Sequence, residues 1–365
     1  MRTGKIRTGK IRTGMDTAAK YKTSVRHEVT RISLAILAFY AVYLIVCVAF
    51  MAVLMFTSGF LSDLREANDV TSALLMSEFL ANLPLGWLSI VTLFCGMFTM
   101  LIVRGKRLFT TDLTKTSKRI RLADLAMMAG LILGINAVVT LGQTLLMFVS
   151  ESFGIDSSGM DESFITGLMD LPGMLYVVLL GPIIEEIIFR GAILRALERF
   201  GQNFALVVSS LAFGLYHLML FQGIFAFFVG LVLGYCALHY SIKWAMLLHV
   251  INNGYAMGLT ALGAGVQFEV GIIIVMLGLG LLALAFAHKQ LKRQVATGKP
   301  AEMHHAVGLP LGFVYALAPD QRSYQVVASG EPLKGKPYQA AFSTPWLIVV
   351  LILAALVIVG TSIML

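Results

Sequence analysis

Charge is scarce in this chain. Only 13% of its 365 residues are Asp, Glu, Lys or Arg, against 58% hydrophobic, and the mean hydropathy is +0.83. No soluble domain could hide that much apolar surface, so a polytopic membrane protein is expected. Cysteine is scarce too. Cys47, Cys95 and Cys236 fall within apolar runs and lack CxxC spacing, which excludes a disulfide scaffold and leaves them as packing residues. The HExxH spacing of zinc peptidases is absent, and so is the inverted repeat of many transporters. Nor is a cleaved signal peptide expected, because the first apolar stretch is too long and has no clear small-residue cleavage site.

The charge that is present follows a topology. A net charge of +8 could suggest nucleic acid, but the Lys and Arg residues sit in loops beside hydrophobic runs, as the positive-inside rule expects of a multi-pass chain. Runs long enough to cross a bilayer, or nearly so, fall at 32–56, 83–103, 125–149, 174–197, 204–221, 224–238, 244–262, 270–287 and 346–365, about nine spans. This is an all-α polytopic transmembrane helical bundle. With that count the basic N-terminus, the 104–121 loop, Arg195 with Arg199, Lys243 and the 289–299 segment share one side. Asp63, Glu66, Asp69 and Glu78, then Glu151, Asp156, Asp161 and Glu162, face them. The N-terminus is therefore expected in the cytoplasm, the C-terminus outside, and the chain in the cell membrane.

The expected divisions are a basic cytoplasmic tail (1–31), three N-terminal transmembrane helices (32–150), a membrane core (165–287), a cytoplasmic loop (288–344) and a last transmembrane helix (345–365). The tail opens with RTGKIRTGKIRTG. It reads as a disordered basic segment near an anionic leaflet, or as the product of an upstream start codon with Met15 the true beginning. His304 and His305 on the late loop read as solvated. GxxxG spacings at Gly130 with Gly134, Gly230 with Gly234 and Gly254 with Gly258 read as internal helix packing.

One run breaks the apolar pattern where no lipid-facing helix would. In GPIIEEIIFRGAILRAL, Glu185, Glu186 and Arg190 lie inside a membrane-length stretch, and ionisable groups there suggest a function. Glu186 and Arg190 are one helical turn apart and can pair, whereas Glu185 points about 100° away and is left free. Downstream, Phe213 with His217 and His249 with Asn253 share faces of two further apolar helices. Counted from the basic ends at 1.5 Å per residue, Glu185, His217 and His249 lie about 15, 20 and 9 Å deep. They can share a layer on the cytoplasmic side of the bilayer centre, so a cavity opening to the cytoplasm is expected.

The ordered set EExxxR, FxxxH and HxxxN resembles the CPBP or Abi family of intramembrane endopeptidases, which includes CAAX prenyl proteases and proposed bacteriocin-processing enzymes. The resemblance covers roughly 174–255. It implies that Glu185 with His217 activates a water, that His249 and Asn253 stabilise the oxyanion, and that the partners are a peptide or membrane-protein substrate and the lipid bilayer, with no nucleic acid. Glu186, Arg190 and Phe213 would support the site. A metal-free mechanism without cofactor is favoured, because Asn253 suits an oxyanion better than a metal. The mechanistic rival is zinc held by Glu185, His217 and His249. Taken singly each residue also has a structural reading, His bonding a backbone carbonyl or Asn bridging helices. Two functional rivals follow: a non-catalytic scaffold or regulator of a partner such as a sensor kinase, and a transporter with a proton relay.

Overall fold

The structure, a computed structural model, describes residues 5–153, 167–262, 266–296 and 336–363. Among these residues no strand forms beyond an isolated bridge between Thr116 and Ser241. The second acidic loop beyond Phe153 and the His304-His305 pair lie outside the described residues.

No Gly or Pro interrupts the chain from Met15 to Ser58, and helix α1 (Lys5–Thr57) runs through it to Gly59, which turns the chain with φ 77. The N-terminal tail expected to be disordered is thus helical from Lys5. Its Lys, Arg and Ala residues favour helix, and the long apolar helix beyond supplies the nucleus they extend. Two short helices follow, α2 (Phe60–Glu66) and α3 (Asp69–Ala81), the latter capped by Asn68 accepting from the Thr71 N–H. After Pro84, α4 (Leu85–Arg104) sets off bent 61° from α3. A π turn over Leu108–Asp112 is tied back by Arg104, which donates twice to Asp112. Helix α5 (Leu122–Ser152) then crosses the bundle.

The central element, α6, is the helical run 171–200, capped by the Asp170 side chain on the Gly173 N–H. It alternates α-helix with two π segments, Tyr176–Leu180 and Ile187–Leu194, and stops in a 3-10 turn at Gly201. The remaining helices are α7 (Gln202–Tyr216), α8 (Leu220–His239), α9 (Ile242–Leu262), α10 (Val266–Ala296), α11 (Lys336–Phe342) and α12 (Pro345–Ile363).

Every apolar run read from the sequence falls in or overlaps a helix. By length and composition, four described stretches can cross a membrane, Ala19–Thr57, Leu122–Val149, Leu220–His239 and Val270–Lys289, or up to five with the bent α3 and α4 pair. Outward faces such as Leu44, Ile45 and Phe56 on α1 stay exposed, as a lipid-facing surface requires. Inside, Ile193, Leu194 and Leu197 of α6 are wholly buried. Glycines set the closest approaches: a Cβ on Gly280 of α10 would lie 2.7 Å from the Gly134 Cα of α5, and one on Gly214 of α7 would lie 2.7 Å from the Gly223 carbonyl oxygen of α8. The GxxxG glycines of α5 therefore serve packing within the bundle.

Candidate active site

Glu185 and Glu186 close the α-helical segment Gly181–Glu186, between the two π segments of α6. A π turn spaces side chains differently from the turns beside it, and such turns gather at functional sites. Glu186 nevertheless meets Arg190 as the spacing predicts. Arg190 Nη1 donates to Glu186 Oε1 at 2.7 Å, and both side chains are fully buried. Arg190 Nη2 donates to the Gly230 carbonyl of α8 at 3.2 Å, and the guanidinium stacks 4.3 Å from the Phe213 ring centroid of α7. A Cβ at position 230 would stand 3.2 Å from Nη2, so glycine lets the two helices come this close. One buried cation thereby joins three helices.

The same Glu186 oxygen lies 3.1 Å from His249 Nδ1 on α9. A carboxylate paired with Arg190 accepts, so the ring donates. Its other nitrogen, Nε2, is 3.7 Å from Glu185 Oε2. A His249 ring protonated on both nitrogens therefore faces an acceptor on each side. The two carboxylates, pointed apart along α6, meet again through one imidazole.

His217 is placed differently from its expected position inside a span. Helix α7 ends at Tyr216, and His217 to Met219 turn the chain into α8. Leu218 adopts φ 55, a left-handed conformation that costs a non-glycine residue on the order of 1–2 kcal/mol. His217 Nδ1 lies 2.9 Å from the Phe213 carbonyl. A carbonyl only accepts, so Nδ1 carries the proton, and in the neutral ring Nε2 is the bare nitrogen. Phe213 packs edge-on against both imidazoles, at centroid distances of 4.9 Å to His217 and 5.6 Å to His249.

Asn253 Nδ2 donates to the Val177 carbonyl of α6 at 2.9 Å, and its Oδ1 accepts from Asn252 Nδ2 at 3.1 Å. One amide hydrogen of Asn253 is left over. Asn252 was not singled out in the sequence, although the NN pair beside His249 was a signal. It is 6% exposed, and its Oδ1 has no hydrogen-bond partner in the structure.

Glu185, Phe213, His217, His249, Asn252 and Asn253 line one cavity of ≈ 750 Å³, joined by Tyr176 of α6 and Tyr216 of α7. The aromatic lining could not be told from ordinary packing by spacing alone. Glu186 and Arg190 do not line the cavity. They close its floor, with Ile193, Leu194 and Leu197 packed in the next turns toward the basic end. The opening was expected toward the basic helix ends; among the described residues the lining runs from the polar layer toward the other ends, to Tyr43, Gln143, Leu168 and Thr260. Depth along single helices could not reveal this, because the closure is made by side chains from neighbouring turns and helices.

No group of three or more His, Cys, Asp or Glu side chains among the described residues is placed to hold a metal ion. As they stand, Glu185, His217 and His249 do not form the ligand set considered for zinc.

Residues 167–255 match a protein-family model described as Rce1-like, type II CAAX prenyl endopeptidase Rce1-like. The match covers about a quarter of the chain and contains every residue of the site described above apart from the α1, α5 and outer α9 walls. No curated protein and no solved structure matches the chain. The apolar helices mark an integral membrane protein, and its residues 167–255 are similar to a family of membrane proteases.

Proposed function

We propose that this chain, whose residues 167–255 form an Rce1-like domain of the CPBP family, is an intramembrane endopeptidase that uses a water activated by Glu185 and His217. The observation that carries the reading is the shared lining: Glu185, His217, His249 and Asn253, from three separate segments, border one cavity inside the bundle.

In the proposed step, water sits between Glu185 and the bare Nε2 of His217. Glu185 takes its proton as the oxygen attacks the carbonyl carbon. The resulting oxyanion accepts from the spare Asn253 N–H and from His249 Nε2–H. Fixed donors aimed at developing charge are commonly a large part of rate enhancement. Glu185 then passes the proton to the leaving amine as the C–N bond breaks. Glu186 stays outside the cavity, holding the His249 ring through Nδ1 and being held in turn by Arg190. No cofactor enters this step, so chelation of divalent metal is expected to leave cleavage unchanged.

The rival scaffold reading draws on the polar bonds between helices, Asn253 to Val177 and Arg190 to Gly230. New peptide termini in membranes from cells with wild-type protein, compared with Glu185→Ala at matched abundance, separate the two. Termini that vanish with Glu185 support hydrolysis. Identical termini together with an unchanged cellular phenotype support the scaffold.

A further inference from the structure

We infer that the bundle holds one anionic phospholipid, its phosphate at Arg26 and the first turn of α12 and one acyl chain in a second, apolar cavity between α1, α6, α7 and α12. This site lies behind the wall of the cavity at Glu185 and needs no catalytic activity.

The place for the tail is a cavity of ≈ 290 Å³. Val29, Ser33 and Leu37 line it from α1, Phe189 from α6, Leu215 from α7 and Ala354 from α12. Its lining runs from Val29 to Tyr40 on α1 and from Leu347 to Val357 on α12, about 15 Å along either helix. A bilayer's hydrocarbon is about 30 Å thick, so the cavity is as deep as the acyl chains of one leaflet. None of its lining residues carries a charge, and Tyr40 at the far end donates its hydroxyl to the Tyr216 carbonyl at 2.9 Å. A space so apolar does not hold water. An extended polypeptide would leave its backbone amides without partners there, whereas a hydrocarbon tail has none to satisfy.

The charge for the headgroup stands at the shallow end. On α1 the stripe Val29, Ser33 and Tyr40 continues outward at helical spacing to Arg26 and Lys22, which therefore share its face. Arg26 is exposed and donates to the Ser343 hydroxyl from Nε at 3.3 Å and Nη2 at 2.9 Å, beside Phe342 of the lining. Arg31 and Arg199 share Glu28, but Arg26 and Lys22 meet no carboxylate among the described residues. Ser343 immediately precedes α12, whose first turn leaves backbone N–H groups without helical acceptors, a setting that favours phosphate. In the same turn Trp346 is 45% exposed, the residue type found at headgroup level. Arginine meets phosphate through paired N–H bonds, and Lys22 one turn further out opposes a cationic headgroup beside it. An unpaired cation above a slot one leaflet deep thus selects an anionic phospholipid over a zwitterionic one. Either leaflet can supply it, so the site does not depend on which way the bundle faces.

The test uses the purified full chain, stripped of its own lipid in detergent and given phosphatidylglycerol or phosphatidylcholine with identical acyl chains. Bound lipid is counted by native mass spectrometry. One phosphatidylglycerol is expected to be held at about tenfold lower concentration than phosphatidylcholine. Arg26→Gln should weaken it about fivefold, whereas Ser343→Ala, which breaks the same hydrogen bonds but keeps the charge, should leave it held. Ala354→Phe fills the tail cavity from α12 and should abolish the tight phosphatidylglycerol with Arg26 in place. Leu215→Trp fills it from α7, so failure of one variant to accumulate leaves the other. Equal retention of the two lipids overturns the inference, and so does retention of neither. Loss on Ser343→Ala as large as on Arg26→Gln overturns it as well. Tight phosphatidylglycerol that survives the cavity-filling changes does the same, because the lipid would then be held at the surface alone.

Discussion

At the scale of single residues, two neighbouring carboxylates have been given opposite surroundings. Glu185 borders the cavity, whereas Glu186 is sealed between Arg190 and His249. Replacing Glu185 by Gln keeps the shape and removes the proposed base. Cleavage is expected to fall by about 10²- to 10⁴-fold, with the thermal midpoint of the purified protein unchanged. Changes at the sealed pair should show the reverse emphasis. Arg190→Met strands a buried carboxylate and is expected to destabilise the fold by about 3–5 kcal/mol, measured by thermal unfolding in detergent. Adding Glu186→Gln removes the stranded charge and should recover part of that loss, while His249, deprived of its fixed acceptor, leaves cleavage impaired.

At the scale of elements, the sequence was most informative where the relevant distance is short along the chain. The Glu186 to Arg190 pair depends on one turn of α6 and was legible as i, i+4. His249 and Asn253 share a face of α9 for the same reason. The bond from Glu186 to His249 was not legible, because it joins helices far apart in sequence. His217 was assigned to a span interior because the apolar run continues past it; the helix stops at Tyr216 through a turn that places Leu218 at positive φ, a geometry that Leu does not announce. Neither π segment of α6 breaks the hydrophobic run that contains it, so both were invisible. The glycine spacings were legible as a type but not as individuals: Gly134 touches Gly280, whereas a Cβ on Gly258 would meet nothing within 4 Å. Gly280→Val is therefore expected to push α10 from α5 and cost about 1–3 kcal/mol. Gly258→Ala, in an open helical position, should hold or raise stability by up to about 1 kcal/mol. Paired thermal unfolding curves of the two variants check this.

At the scale of the whole molecule, ion pairs fasten the basic face. Arg199 bonds Glu28, tying α6 to α1, and Glu198 takes both Lys115 and Arg195. Burial acts to raise the Glu198 pKa, but Arg195 and Lys115 outweigh it and hold the carboxyl below its ordinary value of 4.5. A depressed carboxyl contributes stability that is complete above the unfolded value and is lost as pH falls through the folded one. The 104–121 segment should accordingly stay protected from hydrogen exchange near neutral pH and loosen below pH 4.5. Glu198→Gln should weaken protection at neutral pH and flatten that dependence.

The sealed floor beneath the cavity has an electrical consequence. In plain lipid, a membrane voltage falls over about 30 Å of hydrocarbon. If water fills the cavity down to His249, most of that voltage falls instead across the remaining layer, about 10 Å along α9. The field there is correspondingly steeper, and Arg190, Glu186 and the buried turns of α6 stand within it. These residues form the insulator of the bundle: a leak through them would short the membrane that the rest of the protein spans.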